Sequence, residues 1–432
     1  MRFLNIILFI ILSLYQVRCL AAKSIVGTSP FTGKSDIRYS GDEYFWILTF
    51  STGLLALASG GIGIDFSAIR LFVLIAFMLW IIMRNISKIR FPFPLQAYAI
   101  YITWLVFGLT YCQEISYGFR VILKYFYPLS IALAASIIVH NKEVFFKSAI
   151  LARRVALVSF LLTFTPFVTR IIGGVFWYST AQAISYIAMC MFSMSLLVHN
   201  QAEKKKNAFY VIAFIIPCIY WVFRTSMYGT FLAFVSFFLI RDGFKAFPKI
   251  ILLGIAGVAI VFGVPSVREK MFKEDTNIIS YSQMGELKRD DIRDNNREAM
   301  WTEISEELYA PHKTIGSGTG STQHYFYTIY KGGMQGGQVH NDFLQILADN
   351  GIIGLIFYLS TTFSIFFHCL ILYRKETDPS AKICLLTAGA SIIGITATMF
   401  SDNTVSYSMA TLSFPWGFYG MALGLTNKYN KP

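Results

Sequence analysis

Apolar runs of 15 to 23 residues follow one another along almost the whole chain, separated by short polar turns and one long polar stretch. Runs of this length match helices that cross a bilayer, because only a helix satisfies every backbone polar group within its own segment. The pattern predicts thirteen spans, at 3–22, 44–60, 67–83, 95–112, 120–139, 150–166, 182–198, 208–222, 226–240, 247–264, 351–373, 382–400 and 408–426. The expected fold class is all-α: a polytopic integral membrane protein of about 12–13 transmembrane helices with one large external loop. Three blocks follow, a helical block at 1–264, the loop at 265–350 and a final helical block at 351–432.

The polar residues give the orientation. Segments 18–43, 84–94, 140–154, 200–207, 241–249, 373–382 and 427–432 hold 22 of the 37 Lys and Arg and alternate with the sparsely charged turns. The positive-inside rule makes that side cytoplasmic and the long loop external; the nine basic residues of 265–340 are no objection, since long loops escape the rule. The first run admits two readings. Met1-Arg2, an apolar core and Cys19-Leu20-Ala21-Ala22 suit a cleaved signal peptide. Arg18, Lys23, Lys34 and Arg38, against Arg2 alone before the run, favour a retained helix with its N-terminus outside.

Composition agrees with this reading. Charged residues are 14% of the chain and hydrophobic ones 55%, against about 25% charged in ordinary globular proteins. The net charge of +13 therefore reports topology, and no contiguous basic and aromatic face points to nucleic acid. The six cysteines lie in or beside apolar runs, with no disulfide framework and no CxxC motif.

The loop is where chemistry is expected. Glu286 to Glu307 is charged and helical in pattern, with Trp301, Ile304 and Leu308 recurring as one face that lies on the membrane or on the bundle. Two glycine-rich stretches follow, 316–321 and 332–337; neither is followed by Gly-Lys-Ser/Thr, which excludes a nucleotide loop. Then comes the most informative segment, His340-Asn341-Asp342-Phe343-Leu344-Gln345-Ile346-Leu347-Ala348-Asp349-Asn350-Gly351. With Asn341 or His340 as cap, Phe343, Ile346 and Leu347 share one helix face and Asp342, Gln345 and Asp349 another. Gly351 and Gly354 permit a bend or close packing where this helix enters the bilayer.

His340 is the first catalytic candidate. The positive end of a helix macrodipole disfavours imidazolium, and a neutral imidazole can act as a general base. The plainer role is a capping or interfacial histidine. Arg224 interrupts two apolar runs near membrane depth, which suits a polar cavity or an anionic partner, or else a side chain reaching lipid phosphate. Arg297 sits in Asn-Asn-Arg-Glu-Ala-Met-Trp; a solvated or paired arginine is its plainer reading. Arg70, Arg120, Lys124 and Arg170 also fall at external span ends, so an external cavity gains cations suited to diphosphate. Asp65 competes as a base, although a cap for the helix that follows is its plainer reading. Asp290, Asp291 and Asp294 match no metal motif, and neither a metal nor a cofactor is expected.

Three of these segments together resemble the O-antigen ligase/polymerase superfamily of bacterial membrane glycosyltransferases. Val339-His340-Asn341-Asp342-Phe343-Leu344-Gln345 running to Gly351-Ile352-Ile353-Gly354 resembles the histidine motif after that family's large periplasmic loop. Arg297 with Trp301, then Ile315-Gly316-Ser317-Gly318, resembles its arginine–tryptophan and glycine segment. Arg224 resembles its arginine between two central spans, although Arg-Thr-Ser departs here from the commoner Ser-Arg order. The motifs cover 205–425, and the first half matches only by topology.

The resemblance implies a GT-C-like helical fold in the bacterial inner membrane. It also implies metal-independent, inverting transfer of glycan from an undecaprenyl-diphosphate carrier at the periplasmic face. His340 would be the base, Arg224 and Arg297 would hold the diphosphate, and Asn341, Arg120, Lys124, Arg170 and Asp65 remain weaker candidates. The expected activity is polymerisation of lipid-linked repeat units into O-antigen or another surface polysaccharide, with a chain-length regulator protein as a partner. The alternative acceptor is the lipid A core, which would make the protein an O-antigen ligase. A lipid-linked oligosaccharide transporter is the alternative of another class; it would need no histidine at a helix start, and no paired broken-helix repeat is visible.

Overall fold

The first third of the chain forms α1 (Arg2–Ala21), an antiparallel hairpin of β1 (Ser24–Gly27) and β2 (Ile37–Ser40), then α2 (Gly41–Ser51), α3 (Phe66–Arg84), α4 (Phe93–Phe107), α5 (Ile115–Ile138) and α6 (Lys142–Leu162). The middle holds α7 (Thr180–His199), α8 (Lys204–Tyr220), α9 (Arg224–Asp242), α10 (Phe247–Gly263) and α11 (Pro265–Met271). Then come α12 (Arg297–Ile304), α13 (Ser321–His324), α14 (Asp342–Lys375), α15 (Pro379–Thr398), α16 (Ser408–Thr411) and α17 (Ser413–Leu425). This is a computed structural model, and it describes residues 2–55, 66–162, 180–200, 203–272, 297–329 and 339–426.

The protein is a polytopic, all-α membrane protein. Seven helical stretches among the described residues are long and apolar enough to cross a membrane, one of them, Arg224–Gly263, comprising α9 and α10 together. Others fall short for visible reasons: α2 and α17 have 11 and 13 residues, and α6 carries Lys142, Glu143, Lys147, Arg153 and Arg154.

At the centre stands α15. Its N-terminus is fixed by Asp378, whose carboxylate accepts from the Ala381 N–H at 3.0 Å, with Pro379 at the first helical position. Small and apolar residues surround it, so it is buried on every side against α7, α9, α14 and α17. Antiparallel packing brings the C-terminus of α15 beside the N-terminus of α14, where the Asp342 N–H donates to the Met399 carbonyl at 2.8 Å. The N-terminus of α9 reaches the same end of the bundle.

Helix α14 begins and bends at the residues its sequence predicts. Asn341 is its N-cap, accepting from the Leu344 N–H at 3.0 Å. Gly351 has φ 67°, which divides α14 into a nine-residue start and a long apolar helix. A side chain there would meet the Thr314 carbonyl, because the segment 313–320 crosses at this bend. Asp342 and Asp349 share a face as expected, but that face points into the protein, the two residues being 1% and 0% exposed. Asp349 accepts from the backbone N–H of Gly320 and Thr322 and from the Thr322 hydroxyl at 2.6–3.1 Å, which ties the glycine-rich strap to α14.

The amphipathic helix expected around Trp301 is α12, continued by one π-helical turn, Ser305–Tyr309. Met300, Ile304 and Leu308 are buried in a small cluster with Val339, Leu344 and Ala348, so this helix lies on the bundle. Residues 286–296 and 332–337 lie outside the described residues.

Candidate active site

The segment Ser401-Asp402-Asn403, directly after α15, collects contacts from three directions. Ser401 receives α9, through its hydroxyl bonded to Thr225 at 3.1 Å and Tyr228 at 2.8 Å. Its carbonyl accepts from the Arg297 Nη1 of α12 at 2.6 Å. Asn403 receives His340, which sits at the corner before α14.

His340 is held in an uncommon conformation. Its φ is 52°, in the left-handed region that non-glycine residues rarely adopt and that costs about 1–3 kcal/mol. Two contacts hold the corner. Trp301 Nε1 donates to the Val339 carbonyl at 2.8 Å, and the His340 N–H donates to Asn403 Oδ1 at 2.8 Å. Arg297 and Trp301, one helical turn apart on α12, thus brace residues 401 and 339 on either side of the histidine.

The same amide fixes the imidazole. A backbone N–H can only donate, so the Asn403 oxygen must face it, and Asn403 Nδ2 then donates to His340 Nδ1 at 2.8 Å. In this arrangement the ring proton sits on Nε2, which has no protein partner among the described residues. Asp402 Oδ1 stands 3.7 Å from Nδ1, just beyond a hydrogen bond, and also accepts from the Asn403 N–H at 2.8 Å. The His340 side chain is 38% exposed and that of Asp402 9%, so the ring is open to a ligand while the carboxylate behind it is sheltered.

Other polar groups complete the setting. Asp342 Oδ2 accepts from the Val405 N–H at 2.9 Å, fastening the turn after Asn403 to α14. Lys124, on α5, stands within electrostatic reach of Asp342.

Of the residues singled out by the sequence, His340 and Arg297 come together on the 401–403 segment, and Arg224 opens α9 one residue before Thr225. Arg224 also lines a cavity of about 600 Å³ between α8, α9 and α10, otherwise walled by residues such as Cys218, Phe231, Phe234 and Leu253. Arg297 makes one hydrogen bond and keeps its other donors without a partner among the described residues. Asn341 spends its side-chain oxygen on the helix cap. The Arg120 guanidinium lies over the Tyr117 ring, 5.8 Å from its centroid. Asp65 and Arg170 lie outside the described residues, as do Asp290, Asp291 and Asp294. One expectation fails: Arg70 does not face an external cavity, because the residue is 4% exposed and its guanidinium bonds the Thr52 and Leu55 carbonyls after α2.

Sequence reasoning missed Ser401, Asp402 and Asn403. Their signal was the polar run Ser-Asp-Asn-Thr between two apolar spans.

Fold and site together define a polytopic α-helical membrane protein with a histidine and arginines gathered at one end of its bundle. Residues 209–359 match the family model described as O-antigen ligase, a stretch that contains Arg224, Arg297 and His340. This places that part of the chain in the O-antigen ligase/polymerase superfamily, as its motifs implied. No curated protein matches the chain.

Proposed function

We propose that the protein transfers a glycan from an undecaprenyl-diphosphate carrier to a sugar hydroxyl, in one inverting step, on the periplasmic side of the inner membrane. The observation that carries this reading is the convergence of a half-open imidazole and a guanidinium on residues 401–403. The largely apolar cavity beside Arg224 suits the isoprenoid chain of such a donor, with the diphosphate at its arginine end.

The chemistry divides between the two kinds of group. His340 Nε2 takes the proton as the acceptor oxygen attacks the anomeric carbon, and the bond from that carbon to the diphosphate oxygen breaks with its electron pair. Arg297 and Arg224 stabilise the charge that collects on the leaving diphosphate, so a metal is not required for this role. For Nε2 to accept, the ring proton must first move to Nδ1. Asp402 is the acceptor at hand: a small rotation transfers Nδ1 from Asn403 Nδ2 to Asp402 Oδ1, 3.7 Å away. A carboxylate behind a histidine then serves as it does in hydrolase triads, orienting the ring and stabilising imidazolium.

The acceptor we favour is a second lipid-linked repeat unit, which makes the protein a polymerase of surface polysaccharide. The alternative acceptor is the lipid A core, which would make the protein an O-antigen ligase. Deleting the gene separates the two on a gel of surface glycan. Lipopolysaccharide capped by a single repeat unit identifies a polymerase, and uncapped core with accumulated lipid-linked polymer identifies a ligase. Unchanged surface glycan overturns both.

A further inference from the structure

The strap that Asp349 anchors does more than cover α14. It crosses the first turn of α5 in direct backbone contact at Gly118 and Gly320. A side chain on Gly320 would collide with the Gly118 backbone, and one on Gly118 would collide with the Thr319 carbonyl. Gly320 also holds φ 89°, which glycine alone adopts without strain. This crossing sets residues 324–327 beside the outer end of α5.

Four side chains meet there. Tyr117 and Tyr327 stack with ring centroids 5.6 Å apart and planes 10° from parallel. His324 meets Tyr117 edge-on at 5.8 Å, and the Arg120 guanidinium lies 5.8 Å from the Tyr117 centroid. Tyr327 is 60% exposed, an unusual expense for an aromatic ring that could have turned inward. Among the described residues, His324 Nδ1 is buried with no hydrogen-bond partner and Arg120 makes no hydrogen bond. A buried, unpartnered ring nitrogen is costly unless a ligand or water meets it. Tyr117, Arg120 and Lys124 occupy one face of α5 at i, i+3 and i+7, and Lys124 is within electrostatic reach of Asp342, two residues from His340. The stacked tyrosines therefore stand roughly 10 Å outward of Lys124 along that face, at 1.5 Å per residue.

We propose that Tyr117 and Tyr327 form a carbohydrate-stacking subsite that seats a pyranose ring of the glycan substrate, with Arg120 and His324 bonding its hydroxyl or carboxylate groups. This rests on the reading of the protein as acting on a glycan. One face of a pyranose presents C–H groups of partial positive charge, which complement the negative face of a phenol ring. A guanidinium beside that ring supplies directional donors for the sugar's polar edge. The subsite touches no reacting atom. It would hold a glycan unit in register while the reacting end lies at His340, so its contribution belongs in substrate binding.

The test uses the full-length protein in lipid nanodiscs and short oligosaccharides released by mild acid from the host's own surface polysaccharide. Saturation-transfer NMR reads contact at the sugar ring protons. Wild type is expected to show transfer to one face of a ring, and Tyr327→Ala to weaken binding about 3- to 10-fold, with Tyr327→Trp restoring it. Arg120→Gln is expected to weaken it while leaving thermal stability unchanged. No contact with wild type, or equal binding by wild type and Tyr327→Ala, overturns the subsite. Turnover with the lipid-linked donor is read separately. Oligosaccharide binding in a protein without transfer activity leaves the subsite standing and removes the transferase reading. Transfer with KM unaltered by Tyr327→Ala does the reverse.

Discussion

Replacing Asn403 by alanine should separate the histidine from its support without unfolding the bundle. The substitution deletes two hydrogen bonds of 2.8 Å, one to the His340 backbone N–H and one to its Nδ1. Each is worth about 0.5–1.5 kcal/mol net, and a backbone N–H left unpaired costs about 1–3 kcal/mol. That sum is comparable with the 1–3 kcal/mol or so stored in the φ of 52° at His340, so the corner is expected to relax toward an ordinary conformation. Of the two contacts that hold the corner among the described residues, the Trp301–Val339 bond would then remain. A shift of about 1 Å at a reacting group costs roughly 100-fold in rate, so kcat should fall by about that factor with KM little changed. Asn403→Asp is the informative companion. A carboxylate still accepts the backbone N–H but also accepts from Nδ1, which places the ring proton there and leaves the Nε2 lone pair outward. Its kcat should stay within about 10-fold of wild type, and the acidic limb of its rate–pH profile should move to higher pH, because a second carboxylate favours the charged ring. The assay is steady-state transfer by purified protein over a pH series. Wild-type kcat in Asn403→Ala, or one pH profile shared by wild type and Asn403→Asp, would refute the reasoning.

Three further outcomes are expected. Arg297→Ala should lower turnover about 100-fold, as loss of one electrostatic stabiliser does, and an unchanged rate would remove Arg297 from the site. Gly351→Ala should destabilise the protein by about 1–3 kcal/mol, because its φ of 67° disfavours a side chain and the added Cβ meets the Thr314 carbonyl; an unchanged Tm in scanning fluorimetry would contradict that. Transfer should proceed at full rate in EDTA, since the arginines carry the charge stabilisation; loss of activity restored by a divalent cation would require a metal in the mechanism.

The sequence made the fold class legible because a bilayer tolerates so few backbone arrangements: long apolar runs had to be helices. The start of α14 was legible for a local reason, since Asn341 caps and Gly351 bends within their own few residues. The partner of His340 was not. Asn403 lies 63 residues away, and only the packing of α14 against α15 brings it near. The inward turn of Asp342 and Asp349 was hidden for a similar reason. Periodicity gives the faces of a helix, but which face is wet depends on what covers it, here the strap held by Asp349 itself. Arg70 shows the converse error: a cation at a span end bonds the free carbonyls of its own neighbourhood as readily as it faces a ligand.

The most direct test of the central claim is transfer by purified protein, wild type against His340→Ala, from a lipid-diphosphate-linked glycan to an added acceptor. The account predicts turnover by wild type with release of the lipid diphosphate, and loss of at least about 100-fold in kcat in the variant, as removal of a general base entails. Transfer by His340→Ala at the wild-type rate would contradict it.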